Sequence, residues 1–315
     1  MHIFVTGATG FLGTALCAAL KERGHDVIGV SSKTCDLRVP GSLERFNARR
    51  YDQIYHLAAW TQAGDFCLSH QGEQWIVNQQ MNTNILTWWQ RHQPQAKLIT
   101  MGASCAYDPK LPLSEDYYLQ GEPIAELFVY AMTKRMLYAG QRALRDQFGL
   151  SYLHVVPSTL YGPGYHQDGR QAHFIMDLIR KIIRGKTTGE PVVLWGDGTQ
   201  RREIVYLDDV VRCLITLAET CSNEVVNVGA GEEFTSRQFA AWICEQVGYP
   251  LEAIRFDTAR YVGARSKCLV VERLKRRFPD MVWTPKEVGL ATTIQWELEH
   301  APQPKETLRH GIPDR

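Results

Sequence analysis

The sequence predicts an α/β protein in which a doubly wound parallel sheet is followed by a smaller C-terminal mixed α/β domain. Within the first 160 residues, short β-branched or aromatic runs alternate with longer helical stretches, which is typical of parallel strands joined by helical crossovers. The runs are nearly all apolar, as expected for strands that helices cover on both faces. A glycine-rich turn follows the first run. The predicted strands are Ile3–Val5, Val27–Val30, Gln53–Leu57, Lys97–Met101 and Tyr152–Val156.

The second half of the chain is predicted to form a separate, smaller unit. After Pro157 the strand-like runs lose their even spacing. Thr235, with Gln238 three residues later, forms a capping box ahead of a one-sided apolar helix. The predicted domains are 1–160 with returning segments near 204–230, then 161–300, and a loose tail over 301–315.

Composition excludes several classes of protein. The 315 residues carry 35 Lys or Arg against 34 Asp or Glu, so a formal charge of +1 provides no broad field for a nucleic acid or an anionic membrane. No apolar run is long enough to cross a bilayer, and no export signal opens the chain. The eight cysteines lie far apart without a metal-binding or disulfide spacing, so we expect no metal and a reducing cytoplasm.

The turn after the first strand has the glycine spacing of a dinucleotide-binding Rossmann domain. Glycines at 7, 10 and 13 allow positive φ and close approach of a pyrophosphate to the amides of a helix predicted over Thr14–Arg23. An ordinary tight turn is the alternative, but the position between an apolar strand and a helix favours cofactor binding. The contacts predicted here are Gly7, Gly10, Phe11, Leu12 and Gly13.

The end of the second strand favours NADP(H). An acidic residue there would bind both ribose hydroxyls of NAD, whereas a 2′-phosphate favours hydroxyls and a cation. The chain has Ser31, Ser32 and Lys33 directly after Val30, and no acid before Asp36. A solvated loop without a role in binding remains the alternative.

Tyr130 and Lys134 form a second signature. Their spacing places both side chains on one face of a helix. A phenol titrates near pH 10, and a neighbouring ammonium stabilises the phenolate, so we expect the pKa of Tyr130 to be lowered toward a useful range. Tyr130 would exchange a proton with a carbonyl or alcohol, and Lys134 would also hold the nicotinamide ribose. A half-buried tyrosine beside a surface lysine is the alternative.

Taken together, the motifs resemble an extended short-chain dehydrogenase/reductase acting on nucleotide sugars, over nearly the whole chain. Within that family the sequence is most similar to the GDP-L-fucose synthase group. Such a resemblance implies NADPH-dependent reduction of a GDP-linked 4-keto-6-deoxy sugar, with epimerisation at C3 and C5. It rests on the glycine spacing, 36–37, 56–59, Asn78, 104–107, Tyr130 with Lys134, 157–163, 195–199, 202–203, 206–210, 227–229 and 289–296.

The resemblance also implies roles for individual residues. A Ser or Thr that bonds the reacting oxygen in the family is Ala103 here, so Ser104 is the candidate replacement. Cys105 and His173 occupy the positions of the epimerisation pair, and a thiol and an imidazole need only modest tuning for that task. Further cofactor contacts are Asp36, Leu37, Leu57, Ala58, Ala59, Asn78, Pro157 and Leu160. The substrate contacts are Lys181, Trp195, Arg202 and Lys267.

Several alternatives stay open at this level. An enzyme that retains NAD, either a 4-epimerase or a dehydrogenase, would share the same motifs, and a non-catalytic dinucleotide-binding sensor would tolerate Ala103. The family's homodimer, a four-helix bundle, would use residues near 66–92 and 124–147, with Trp75, Leu86, Leu127 and Met136 as contacts. Packing inside the subunit is equally compatible with each of these four side chains. Neither the nucleotide, the C6 substituent nor the product stereochemistry follows from the sequence.

Overall fold

The structure is a computed structural model that describes residues 1–62, 66–259 and 264–300. The tail predicted over 301–315 lies outside the described residues. Six parallel strands form the central sheet, in the spatial order β2-β1-β3-β4-β5-β10. They are β1 (His2–Thr6), β2 (Asp26–Val30), β3 (Gln53–His56), β4 (Lys97–Met101), β5 (Tyr152–Pro157) and β10 (Glu224–Val228). This confirms the predicted fold class.

Helices cover both faces of this sheet because its strands are apolar on both sides. All residues of β3 are buried, and so are the last four of β1. The helices are α1 (Phe11–Glu22), α2 (Phe66–Ser69), α3 (Gln71–His92), α4 (Phe128–Phe148) and α6 (Leu207–Thr220). Since the chain leaves β1 for β2 on one side and β3 lies on the other, a crevice opens at the carboxyl ends of β1 and β3.

A second hydrophobic core lies in the C-terminal half. Isoleucines of α5, Phe239 of α7 and Leu290 of α9 are fully buried there. Short strands pair β6 (Thr159–Tyr161) with β9 (Ile204–Tyr206), β7 (Val193–Trp195) with β12 (Arg255–Asp257), and β8 (Arg201–Arg202) with β11 (Phe234–Thr235). The helices are α5 (Phe174–Thr188), α7 (Ser236–Val247), α8 (Glu272–Arg277) and α9 (Lys286–His300).

The start of α1 differs from the prediction. The helix begins at Phe11, not at Thr14, because Gly10 caps it in an extended conformation and accepts the amide of Thr14. Gly13 therefore lies inside the first turn. A glycine is unfavourable within a helix, which is why sequence reasoning placed it before the helix.

Trp88 and Trp89 of α3 belong to the hydrophobic core around the central sheet, here called the first core. Trp89 is fully buried and its indole donates to the carbonyl of Ala96, whereas Trp88 packs on Phe4. Trp75 is 41% exposed on α3. In the described part of the chain, no helix has the length and apolar character of a membrane span.

The capping box at the start of α7 is formed as predicted. The Thr235 side chain accepts from the Gln238 amide, and the Gln238 side chain accepts from the Thr235 amide. We expect Thr235→Ala to lower the free energy of unfolding by about 1 kcal/mol, because the Gln238 amide loses its acceptor. Urea unfolding followed by circular dichroism measures the change. Thr235→Ser keeps the oxygen, so an equal loss in that variant would contradict the capping account.

Candidate active site

The turn between β1 and α1 can be built only with glycine at two positions. Gly7 has φ +67°, and a Cβ there would lie 2.8 Å from the amide nitrogen of Ala58. A Cβ on Gly13 would lie 2.1 Å from the carbonyl oxygen of Gly7. The first amides of α1, from Phe11 to Gly13, have no intrahelical acceptor, and no side chain caps them. A diphosphate fits such a helix start.

The loop after β2 carries more positive charge than the sequence analysis recognised. Ser32 and Lys33 are exposed there. Arg38 binds Asp36 through both carboxylate oxygens, with its Nη2 at 2.6 Å, and this pairing lowers the pKa of Asp36. Arg45 donates to the carbonyl of Thr34. The loop therefore offers two arginines in addition to Lys33, and the predicted acid is already paired.

Two predicted cofactor contacts have side chains that are buried within the protein. Asn78 is 3% exposed; its amide donates to the carbonyls of Trp60 and Gln74 and accepts the amide of Trp60. Both of its donor hydrogens are used, so it positions the segment after β3 and has no donor left for a cofactor. Leu37 is 4% exposed and packs in the first core.

The other predicted cofactor contacts are partly buried and lie at or shortly after the carboxyl ends of β3 and β5. Ala58 donates its amide to the hydroxyl of Thr6, which fixes the segment after β3. His56, at the end of β3, bonds Thr6 and Asn82, and burial lowers its pKa to about 4. The remaining contacts are Leu57, Ala59, Pro157 and Leu160.

Tyr130 and Lys134 lie on the inner face of α4, as predicted. The ammonium of Lys134 lies 5.5 Å from the centre of the Tyr130 ring. Burial lowers the pKa of Lys134 to about 8. The expected lowering of the pKa of Tyr130 was wrong in direction: burial raises it, and a side-chain hydrogen bond with Thr61 opposes this only in part. The loss of hydration around the phenol outweighs the nearby ammonium.

Cys105 lies in the segment that follows β4. Ala103 caps a short 3₁₀ turn in extended conformation, Ser104 is partly buried and Cys105 is 8% exposed. Burial raises the pKa of the Cys105 thiol, and the charge of Lys267 opposes that shift. The expected modest tuning is therefore incorrect for the thiol, which is neutral at pH 7.

His173 lies at the exposed edge of the second core, where it caps α5. Its Nδ1 is 2.5 Å from the hydroxyl of Tyr165, and its backbone amide donates to the same oxygen. Partial desolvation and the charge of Lys267 lower the pKa of His173. The imidazole is therefore neutral at pH 7, which again departs from the expected tuning.

Among the four predicted substrate contacts, Lys267 and Arg202 are brought together. The charge of Lys267 acts on Cys105, His173 and Arg202, so these groups share one electrostatic environment. Arg202 donates to the carbonyl of Ala264 at 2.7 Å. Of the other two predicted contacts, Lys181 pairs with Asp177 at 2.7 Å one turn earlier on α5, and Trp195 is 43% exposed.

Sequence reasoning missed four residues of this site. Thr61 contacts Tyr130, Cys67 acts electrostatically on it, Tyr165 holds His173 and Arg38 holds Asp36. No spacing rule connects these residues to their partners, because each pair joins separate elements or a loop. Only Arg38 left a signal, as a cation near a predicted phosphate site.

Known proteins resemble this chain over nearly its whole length. The model of the NAD dependent epimerase/dehydratase family matches residues 3–229. The GDP-L-fucose synthase of Escherichia coli (strain K12) is 32% identical over 324 residues, which span 95% of this chain and 97% of that protein. A GDP-L-colitose synthase of Yersinia pseudotuberculosis is 29% identical, spanning 95% and 98%. The crystal structure of a GDP-L-fucose synthetase from Naegleria fowleri bound to NADP has a TM-score of 0.83 at 26% identity, covering 95% and 94%.

The depressed pKa of Lys134 predicts a stability change with a definite pH dependence. Below about pH 8 the folded protein holds a buried charge, so Lys134→Met should raise the free energy of unfolding, by up to about 3 kcal/mol. The gain should shrink as the pH rises from 8 toward 10.5, where the lysine of the unfolded chain also becomes neutral. Denaturant unfolding across this range measures it.

Lys110→Met is the matched control, since Lys110 is exposed. It should leave the free energy of unfolding within about 0.5 kcal/mol at every pH. A loss of stability in Lys134→Met at pH 7 would contradict the account, because it would mean that the lysine is paired and not merely desolvated.

Proposed function

This chain belongs to the NAD dependent epimerase/dehydratase family, and we propose that it reduces the C4 keto group of a nucleotide-linked 4-keto-6-deoxy sugar with NADPH. The observation that carries the proposal is the enclosed pair of Tyr130 and Lys134, facing a crevice whose phosphate end is built from Gly7 and Gly13. A GDP-linked sugar is favoured because relatives that match over nearly their full length are named for GDP sugars.

The crevice fits the cofactor. Gly7 and Gly13 leave space that any Cβ would fill, and the first amides of α1 would bind the pyrophosphate. Ser31, Ser32 and Lys33, together with Arg38, would bind the 2′-phosphate. Bound NADPH supplies a hydride for the carbonyl carbon.

Tyr130 supplies the proton. Because burial raises its pKa, the phenol is fully protonated at neutral pH and can give its proton to the carbonyl oxygen when the carbon is reduced. The carbonyl π pair moves to the oxygen, which takes the proton and becomes the alcohol. Lys134, whose pKa is about 8, is mostly charged at pH 7 and stabilises the tyrosinate that remains.

Cys105 and His173 support epimerisation at C3 and C5 as an accompanying activity. Both are neutral at pH 7, and the charge of Lys267 acts on both. A carbon beside the keto group is acidified, so a weak base suffices to remove its proton, and the thiol and the imidazole could exchange protons from different elements of the site. Reduction without epimerisation is the simpler reaction that the same residues would support.

Two cations of the site, Lys267 and Arg202, are suited to the nucleotide diphosphate. Lys267 and Arg202 interact electrostatically, and a buried diphosphate requires such charges. Trp195 has enough exposed surface to pack against a base. Lys181 is a weaker candidate, since Asp177 already neutralises it. We accordingly assign cofactor binding to the first core and nucleotide-sugar binding to the second.

A homodimer through α3 and α4 is also proposed. These helices pack on one another and expose large apolar side chains: Trp75 is 41% exposed, Ile76 55%, Phe128 43% and Met136 45%. Such a patch is unusual on a monomer. The other two predicted contacts, Leu86 and Leu127, are partly buried and pack against the first core instead. The eight unpaired cysteines support a cytoplasmic location.

Replacing the proposed proton donor tests the function. We expect Tyr130→Phe to lower the rate of NADPH oxidation with a GDP-linked 4-keto-6-deoxy sugar by about 10²- to 10⁴-fold, because the carbonyl oxygen loses its acid. Absorbance of the reduced nicotinamide measures the rate, and NMR identifies the product. In deuterated water, deuterium at C3 or C5 of the product reports epimerisation.

Tyr249→Phe, in the second core, is the matched control and should keep the wild-type rate. Turnover of the sugar without consumption of added NADPH would identify an enzyme that retains NAD. Binding of NADPH without its oxidation by any 4-keto sugar would identify a non-catalytic sensor. Either result would overturn the proposed function.

A charge in the exposed patch tests the dimer. Met136→Glu should convert the protein from a dimer to a monomer, because the carboxylate would be buried without a partner. Sedimentation velocity measures the mass. Val282→Glu, at a side chain that is 77% exposed outside these helices, should remain dimeric. A monomeric wild type at micromolar concentration would refute the proposal.

A further inference from the structure

The hydroxyl of Tyr130 has a polar partner that its own helix does not supply. Lys134 lies over the face of the ring, 5.5 Å from its centre. The side-chain hydrogen bond comes from Thr61, in the segment after β3. At the end of β4, Ala103 presents only a methyl group. Among the described residues, the side chain that forms a hydrogen bond with the Tyr130 hydroxyl is therefore Thr61.

Gln74 orients the hydroxyl of Thr61. It is fully buried on α3, and its Nε2 lies 3.3 Å from Thr61 Oγ1 and 3.5 Å from Cys67 Sγ. Because the amide nitrogen can only donate, the threonine oxygen accepts and keeps its single hydrogen for another oxygen. That hydrogen is therefore free for the side-chain hydrogen bond with Tyr130.

Burying Gln74 next to Thr61 lowers the stability of the fold. Gln74 Oε1 is buried with no hydrogen-bond partner among the described residues, and a buried acceptor left in this way is unfavourable. One turn later, Asn78 binds both the amide and the carbonyl of Trp60, the residue before Thr61. Two amide side chains of α3 thus fix the position of a single hydroxyl.

We propose that Thr61 is a catalytic residue that donates a hydrogen bond to the substrate carbonyl oxygen, next to Tyr130, and that Gln74 is its positioning residue. This inference rests on the proposed function. As hydride reaches the carbon, the oxygen gains negative charge, and a fixed donor stabilises that charge more than it stabilises the ground state. The proton itself comes from Tyr130, and the hydrogen of Thr61 stays on its oxygen.

Kinetics of two threonine variants test the assignment. Thr61→Val keeps the shape but removes the donor, so kcat should fall about 10²- to 10³-fold, while the affinity for NADPH, measured by fluorescence, stays within about twofold. Thr61→Ser restores the hydroxyl and should recover kcat to within about tenfold of wild type. Thr216→Val, which removes a hydroxyl bonded within α6, is the matched control and should keep the wild-type rate.

The positioning role of Gln74 is tested by comparing its effects on kcat and on KM. Gln74→Met fills the space without a donor, so kcat should fall about tenfold while the substrate KM stays within about twofold, since only the transition state loses stabilisation. In the double variant with Thr61→Val, the Gln74 change should cost nothing more, because its effect passes through Thr61. Additive losses would overturn the positioning role.

A spectroscopic test needs no substrate. In protein labelled with ¹³C at the phenolic carbon of tyrosine, the resonance that disappears in Tyr130→Phe belongs to Tyr130. Thr61→Val should shift that resonance, because the phenol loses its hydrogen bond, and Thr216→Val should not. An unmoved resonance would show that the contact does not form in solution and would overturn the assignment.

The two proposals fail in different ways. If Tyr130→Phe is inactive but Thr61→Val stays within threefold of wild type, Thr61 is not catalytic and the proposed function stands. An equal or larger loss in Ser104→Ala, with Thr61→Val near wild type, would move the role to Ser104. If the wild type oxidises no NADPH with any 4-keto sugar, the proposed function fails with the catalytic role, and the resonance then decides only whether Thr61 binds Tyr130.

Discussion

Removal of water from Lys134 and Tyr130 is the constraint on which the site depends. Both side chains point from α4 into the protein, and burial shifts the two pKa values in opposite directions, so each group is held toward its neutral form. A neutral phenol can donate a proton, and a lysine whose pKa is about 8 is still mostly charged at pH 7. The same desolvation strengthens every interaction that the ammonium makes with an anion formed beside it.

The pattern of apolar residues predicted most of the sheet, because strands covered on both faces can hardly be anything but apolar. The start of α1 was missed because a glycine in a first helical turn contradicts propensity, and only the close approach of Gly13 to Gly7 explains it. The directions of the pKa shifts of Tyr130 and Cys105 were missed because the local sequence does not show how deeply a side chain is buried. Thr61 was missed for a related reason, since its partners Gln74 and Tyr130 come from two different helices.

The site contains both neutral groups and cations. Cys105 is an uncharged thiol, whereas Lys267 and Arg202 carry positive charge into the same environment. The charge of Arg202 lowers the pKa of Lys267, and an incoming anion would offset this repulsion between the two cations. The repulsion between these two cations and the affinity for a diphosphate therefore have one physical origin.

The presence of two hydrophobic cores has a consequence for how such an enzyme can diverge. Tyr130 and Lys134 are anchored by the first core, whereas His173 lies at the start of α5, which packs in the second. A substitution that repacks α5 alters the shape offered to a sugar without disturbing the sheet that presents the phenol. New products can thus arise by remodelling one half of the molecule while the redox half is inherited intact.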